Sequence, residues 1–148
     1  MTEMGRAPLV RCGEPHRGHS RCFVCGDQNG DGLGVSFCPQ EDGSVVARFS
    51  FDPKFQGYPD RLHGGVIAMI LDDAMTNCLL HHGITAVTGR LDVRFRTPVR
   101  LGEPVEIRAC IASRHKVLYR MEAELRQDDR IMAYAEAKFA EARTPNSR

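Results

Sequence analysis

The sequence has no tryptophan, no long hydrophobic run and almost no net charge. Its longest unbroken apolar stretch, residues 66–71, is far too short to cross a bilayer, because a membrane-spanning helix needs about 20 apolar residues. A formal net charge of +1 provides no bulk attraction to nucleic acid or to a membrane surface. The N-terminal residues contain no apolar run that resembles a secretion signal. We therefore expect a cytoplasmic protein that has neither nucleic acid nor a membrane as a partner.

What is present is the ordinary composition of one globular domain of 148 residues. Residues 1–32 contain Gly, Pro, His, Cys and Arg without periodicity and are interpreted as a Cys/His-rich N-terminal extension. Alternating apolar and polar residues predict strands at 33–37, 45–51, 91–95, 105–111 and 117–125. The segment 131–142 is compatible with either a helix or a strand. Strands that follow one another in series pair antiparallel, so an α+β domain is predicted over residues 33–148.

One segment among these strands predicts a long helix over about residues 62–82, and that helix is apolar almost all the way round. Gly64 and Gly65 at its start allow another group to approach the free N–H groups, where the helix dipole favours negative charge. Asp72 and Asp73 lie in its middle, and a carboxylate on a buried helix needs a partner or a function. Backbone donors and a carboxylate are both components that an acyl-transfer site requires.

Gly65 and Asp72 are too far apart to serve one substrate within one chain. Seven residues separate them, which corresponds to roughly 10 Å along a helix axis. An oxyanion donor and a base must both act within about 3 Å of the same carbonyl group. Two antiparallel copies of the helix would place Gly65 of one subunit opposite Asp72 of the other. The spacing therefore predicts a twofold dimer with two shared sites.

The motif His-Gly-Gly at 63–65, followed by Asp72, by the strand at 91–95 and by Thr-Pro at 97–98, resembles the hotdog-fold acyl-CoA thioesterases. The PaaI-like branch of that family is the most similar. The likeness extends over about residues 22–139. It implies a curved antiparallel sheet wrapped around one long central helix, and a homodimer or a dimer of dimers. It also implies hydrolysis of an acyl-CoA thioester to the free acid and the thiol.

The resemblance also implies roles for individual residues. Gly65 supplies the N–H group that polarises the thioester carbonyl. Asp72 either activates water or attacks the carbonyl directly, and the sequence leaves both mechanisms open. Thr88 helps to orient the water, and Gln56 is the candidate for the amide side chain that relatives carry in the preceding loop. His63 belongs to the motif, with an expected structural role at the start of the helix.

Further residues are candidates for substrate binding, and Gly64 is one of them as part of the motif. Asp73 competes with Asp72, because some relatives place their acid one residue further along the helix. Neighbouring helix positions point about 100° apart, so only one of the two carboxylates faces the site. We favour Asp72, and a structural ion pair is the alternative role for a helix carboxylate. The candidates for binding the phosphates of coenzyme A are Arg94, Arg96 and Arg100, because guanidinium groups suit phosphate. The alternative is that these arginines only form a solvated strand face.

Cysteine and histidine residues are concentrated before residue 33, where the first alternating pattern begins. Because the sequence shows no secretion signal, we expect the six cysteines to be reduced thiols. A tetrahedral zinc site could use Cys12, His16, Cys22 and Cys25, with His19 as a substitute ligand. Three hypotheses stay open: a structural zinc site, packed thiols without metal, and a redox pair. No cofactor is expected for catalysis, because the helix already offers a hydrolytic site.

Two other functions compete with thioester hydrolysis. A noncatalytic module that binds an acyl-CoA or another small ligand would have the same fold, since fold does not determine function. A hydratase is a weaker hypothesis, because its usual pair of Asp and His at short spacing is missing.

Overall fold

The computed structural model describes Cys12 and residues 18–142. These residues form one long helix packed against a six-stranded antiparallel sheet. The helices are η1, a 3-10 helix over Pro53–Phe55, and α1 over Gly64–His81. The strands are β1 (Cys38–Pro39), β2 (Val45–Ser50), β3 (Ala86–Phe95), β4 (Pro104–His115), β5 (Leu118–Gln127) and β6 (Arg130–Glu141). Their order in the sheet is β1-β2-β4-β5-β6-β3, so β3 lies at one edge.

The alternation of side chains along the strands places one face of the sheet against α1. In β5, the buried side chains are Tyr119, Met121, Ala123 and Leu125, whereas Arg120 and Glu122 between them are exposed. A strand directs successive side chains to opposite faces, and the apolar face is the one that packs on the helix. The predicted α+β hotdog architecture, a curved antiparallel sheet around one central helix, is confirmed.

The helix α1 is buried on nearly every side, as its sequence predicts. The sheet covers one side, and the segment preceding β1 covers another with Val24, Val35 and Phe37, which are all buried in the same core. Gly83 follows the helix with a φ of 75°, a left-handed conformation in which glycine ends a helix without strain. None of the helices in the described part of the chain is long and apolar enough to span a membrane.

The strand expected over residues 33–37 is wrong. Gly34 adopts a φ of 62°, and only Cys38–Pro39 joins the sheet at this end. The N–H groups of Leu33 and Val35 donate instead to the carbonyl oxygens of Phe23 and Val24, each at 2.8 Å. The alternating pattern was produced by burial against the N-terminal segment and not by strand pairing.

The segment that allowed either a helix or a strand is strand β6, paired with both β5 and β3. Asp128 and Asp129 link β5 to β6 with φ angles of 51° and 59°. Two consecutive residues with positive φ form the tight hairpin turn whose twist matches that of the flanking strands. This hairpin decides the structure of the alanine-rich segment.

The expectation that all six cysteines stay reduced is also wrong. Cys12 and Cys38 form a disulfide that connects the N-terminal segment to β1. Proximity is the reason: the Cys12 N–H donates to the Ser36 hydroxyl at 3.1 Å, which places the chain beside β1. The remaining cysteines are free thiols at Cys22, Cys25, Cys78 and Cys110.

Candidate active site

The first turn of α1 is capped by the side chain of His63. The backbone N–H of Gly65 donates to Nδ1 of His63 at 2.9 Å, so the imidazole satisfies one of the free donors of the helix N-terminus. A Cβ atom at position 65 would lie 3.0 Å from that nitrogen. Glycine therefore permits the close approach of His63. The N–H predicted to polarise a thioester carbonyl already has a partner within the chain.

A groove with a volume of about 520 Å³ opens beside this helix end. It lies between the loop that precedes α1 and the end of β3, and Gly64 lies on its wall. A Cβ atom at Gly64 would lie 3.5 Å from the Phe95 ring, so the glycine keeps this part of the groove open. The rest of its lining is mainly apolar and includes Tyr58, Leu62, Ile67 and Phe95, together with His63 and two arginines, Arg61 and Arg96.

The structure brings Asp72 and Thr88 together. The Thr88 hydroxyl donates to Oδ1 of Asp72 at 2.6 Å. Asp72 lies in the middle of α1 and is half-buried. Thr88 is opposite the buried Phe139 of β6, and directly opposed residues share one face of the sheet, so Thr88 lies on the face toward the helix. The helix α1 and the edge strand β3 thus bring together a carboxylate and a hydroxyl group that is hydrogen-bonded to it.

Asp73 has a different environment from its neighbour. Its carboxylate is buried, with 7% of the residue exposed, and it accepts hydrogen bonds from Asn77 Nδ2 at 2.9 Å and from the Cys22 thiol at 3.3 Å. Burial raises the pKa of Asp73 above its usual value, since desolvation disfavours the charged form. Asp73 therefore faces the N-terminal segment, whereas Asp72 faces Thr88.

The three predicted arginines do not act as one group. Arg94 pairs with Asp92 at 3.2 Å, and Arg100 pairs with Glu103 at 2.6 Å and also with Asp128. Arg96 stacks over the Tyr134 ring at 5.1 Å and is the one of the three that lines the groove.

Arg61 lines the same groove and was missed in the sequence. Its position two residues before His63 was the available signal. Gln56 lies in the loop before α1, where its backbone pairs with Leu62. The candidate amide residue is therefore close to the start of the helix.

The predicted metal cluster is rearranged. Cys12 is in the disulfide and His16 lies outside the described residues, whereas His19, Cys22 and Cys25 lie together as predicted. The fourth neighbour is Asp73, and the four ligand atoms all lie within 4.8 Å of one another. Sequence spacing could not reveal Asp73, because it comes from the central helix.

A model of a known protein family matches this sequence. The model described as the thioesterase superfamily matches residues 60–136, just over half of the chain. The chain belongs to the thioesterase superfamily. The matched range begins before His63 and includes Gly65, Asp72 and Thr88.

Relatives of this thioesterase-superfamily chain agree with the assignment. It is 31% identical over 110 residues to acyl-coenzyme A thioesterase THEM4 of Bos taurus, an alignment that covers 72% of this chain and 45% of the relative. The chain thus spans less than half of that protein's length. The solved structure of RHA08564, a thioesterase superfamily protein, has a TM-score of 0.76 and 26% identity, covering 79% of this chain and 61% of that one. The E. coli PaaI protein from the phenylacetic acid degradation operon shares the fold, with a TM-score of 0.69, 19% identity, and coverage of 75% and 81%.

Proposed function

We propose that this chain hydrolyses the thioester bond of an acyl-CoA, releasing a free acid and coenzyme A. The observation that carries the proposal is the contact of Asp72 with Thr88 in a chain that belongs to the thioesterase superfamily. The activity named for the bovine relative supports the choice of acyl-CoA as the substrate class. The noncatalytic binding module is the competing function.

Asp72 is the residue proposed to carry the chemistry. The Thr88 hydroxyl donates to Oδ1, so the second carboxylate oxygen is the one directed to the reaction. As a general base it takes a proton from water, whose oxygen attacks the thioester carbon; the C–S bond then breaks and the thiolate takes up a proton. As a nucleophile, the same oxygen attacks the thioester carbon and expels the thiolate, which takes up a proton, and water then hydrolyses the resulting anhydride.

The N–H of Gly65 is the proposed donor to the thioester carbonyl oxygen. In the structure this N–H donates to His63. Substrate binding therefore has to exchange one acceptor for another, with the carbonyl oxygen taking the place of the imidazole nitrogen. The exchange leaves the helix N-terminus satisfied, because one hydrogen bond replaces another.

The groove beside Gly64 is the proposed site for part of the substrate. Its apolar lining suits an acyl or pantetheine chain, and Arg61 and Arg96 are suited to the phosphates of coenzyme A. Arg96 is the one predicted arginine retained in this role.

A twofold dimer is proposed to complete each site. On the helix-facing side of β3, Leu91 and Phe95 are 36% and 57% exposed, although their partners across the strand pair, Ala137 and Ala133, are buried. An edge strand with exposed apolar residues is a surface that a second chain usually covers. A second copy on this face would place its own helix N-terminus near Asp72, as the spacing argument requires.

The test is a thiol-release assay with a panel of acyl-CoA substrates on the wild type and on Asp72→Asn. We expect the wild type to cleave at least one substrate and Asp72→Asn to lower kcat by about 10²–10⁴-fold, since a positioned proton-transfer group contributes this much. Single turnover in ¹⁸O-labelled water separates the two mechanisms, because label enters Asp72 itself only on the nucleophilic route.

Asp92→Asn is the matched control, because Asp92 is a carboxylate of β3 that pairs with the exposed Arg94. It should retain wild-type rates. Binding of acyl-CoA without cleavage by the wild type would reject the proposed enzyme, and full activity in Asp72→Asn would reject Asp72 as the residue that carries the chemistry.

A further inference from the structure

We propose that His19, Cys22, Cys25 and Asp73 bind one structural zinc ion, which fastens the N-terminal segment to the middle of α1. Three ligands come from one short segment, residues 19–26, called the cysteine loop below, and the fourth comes from the central helix. The site is separate from the Asp72–Thr88 pair.

The distances among the four ligand atoms suit a tetrahedral ion. Nδ1 of His19 lies 3.3 Å from Sγ of Cys25, and Sγ of Cys22 lies 3.3 Å from Oδ1 of Asp73. All four atoms lie within 4.8 Å of one another. Zinc bonds of about 2.0–2.3 Å separate tetrahedral ligands by roughly 3.3–3.8 Å. Small side-chain movements are enough to close the cluster around an ion.

The donor chemistry also favours zinc. Two thiolates, one imidazole and one carboxylate form a mixed set of the kind that zinc accepts in tetrahedral sites. The Asp73 carboxylate is buried, and its hydrogen-bond donors are the neutral Asn77 amide and the Cys22 thiol. A buried carboxylate is costly without a compensating cation, and a metal ion supplies that charge. Binding releases the two thiol protons to solvent, so the thiols become thiolates without any redox change.

The backbone of the cysteine loop forms a tight turn that brings the Sγ atoms of Cys22 and Cys25 close together. The N–H of Gly26 donates to the Cys22 carbonyl oxygen at 2.9 Å. A Cβ atom at position 26 would lie 2.5 Å from the backbone of Ser20 and Cys22, so this tight turn requires glycine. The loop is also tied to residues 33–35 by backbone hydrogen bonds from Leu33 and Val35.

Four protein ligands close a tetrahedral site, which is the pattern of structural and not of catalytic zinc. The ion would fix the rotation of α1 about its axis through Asp73. Asp72, the next residue, would then be held in the direction of Thr88. Asp73 is in this sense a positioning residue for Asp72, in addition to being a ligand.

The test measures metal in the full chain purified without added zinc. We expect about one zinc per chain by mass spectrometry, and X-ray absorption of the wild type should show two sulfur ligands at about 2.3 Å and two lighter ligands at about 2.0 Å. The absorption measurement needs no variant, so it does not depend on whether a substituted chain folds.

Paired variants identify the ligands. Asp73→Asn, Cys22→Ser and His19→Ala should lose most of the zinc, whereas Asp72→Asn, Cys110→Ser and His16→Ala should retain it. Wild-type protein that binds no zinc, or that carries a Cys22–Cys25 disulfide, would overturn the proposal. Zinc retained in Asp73→Asn would overturn the assignment of the helix carboxylate. Because Asp72→Asn is expected to keep zinc and to lose hydrolysis, failure of the proposed enzyme and failure of the metal site give different results.

Discussion

Asp72 and Asp73 show how much depends on the direction in which one side chain points. The two residues are adjacent on α1, yet Asp72 accepts a hydrogen bond from Thr88 and Asp73 accepts one from Cys22. A rotation of about 100° per residue is what separates the two environments. Neither carboxylate can replace the other, because exchanging their roles would require the whole helix to turn.

His63 is expected to matter more for stability than for chemistry. His63→Ala removes the cap on the Gly65 N–H and should lower the free energy of unfolding by about 0.5–2 kcal/mol, as loss of a capping side chain does. The donor itself remains, so kcat should stay within about tenfold of the wild type, well short of the loss expected for a proton-transfer group. Urea unfolding and the thiol-release assay measure the two effects.

His63→Asn serves as the comparison for this variant, because asparagine also accepts a hydrogen bond at the N-cap position. It should recover most of the lost stability. A loss of kcat in His63→Ala as large as that in Asp72→Asn would show that the imidazole acts on the substrate, contrary to the structural role given to it here.

For individual site residues, motifs within one segment of the chain were informative. Contacts between residues far apart in the sequence could not be predicted. The sequence pointed to Asp72 through its place on an apolar helix, and the resemblance to the hotdog-fold thioesterases added His63 and Thr88. The sequence did not associate Asp73 with Cys22, since that contact joins residues 51 positions apart. It also missed Arg61, whose position two residues before His63 was the one available signal.

The edge strand β3 exposes the apolar side chains of Leu91 and Phe95 on its helix-facing side. Leu91→Arg places a charge on its exposed helix-facing side and should convert the expected dimer to a monomer, because an unpaired charge is costly in an apolar interface. Light scattering after gel filtration should then give the mass of one chain, 16.5 kDa, in place of about twice that value.

Leu118→Arg controls for the addition of charge as such, since Leu118 is 53% exposed but begins β5, away from the helix-facing side of β3. Its mass should equal that of the wild type. A dimer that persists in Leu91→Arg, or a wild type that is monomeric at all concentrations, would contradict the proposed interface.

At the scale of elements, periodicity identified most of the fold and failed where pairing partners decided the outcome. The strands β2 and β5 and the helix α1 were predicted with small errors in their bounds, whereas β3 begins five residues before the predicted range and β4 ends four residues after it. Residues 33–37 had the alternation of a strand, but the N–H groups of Leu33 and Val35 donate to Phe23 and Val24 and not to a neighbouring strand. The segment that became β6 was undecided, because alanine suits both structures and only pairing with β5 and β3 resolves it.

The whole molecule is expected to function only as an assembly. Asp72→Asn removes the carboxylate, and Gly65→Pro removes the proposed donor N–H in the first helical turn, where proline is tolerated. Each variant alone should be inactive. An equal mixture, unfolded and refolded together, should regain about one quarter of wild-type activity, because half of the dimers are mixed and each mixed dimer holds one intact site.

No recovery in the mixture, with light scattering confirming that dimers form, would show that each site lies within one chain. Circular dichroism of Gly65→Pro checks that its helix is intact. The expectation of shared sites comes from the sequence alone, because it depends only on the spacing of Gly65 and Asp72 along one helix. The sequence could not predict the Cys12–Cys38 disulfide, which depends on how the N-terminal segment lies against β1.

The hydrogen bond from Gly65 to His63 gives the proposed site a built-in competitor. A thioester carbonyl oxygen has to compete for the Gly65 N–H, because the His63 imidazole already accepts its hydrogen bond. The imidazole belongs to the same chain, so its local concentration is fixed. The apparent affinity for any ligand of that N–H is reduced by the fraction of time that the imidazole is bound. Small anions, which bind readily at open helix N-termini, would be screened out by the same occupancy, whereas a ligand anchored elsewhere in the groove would not.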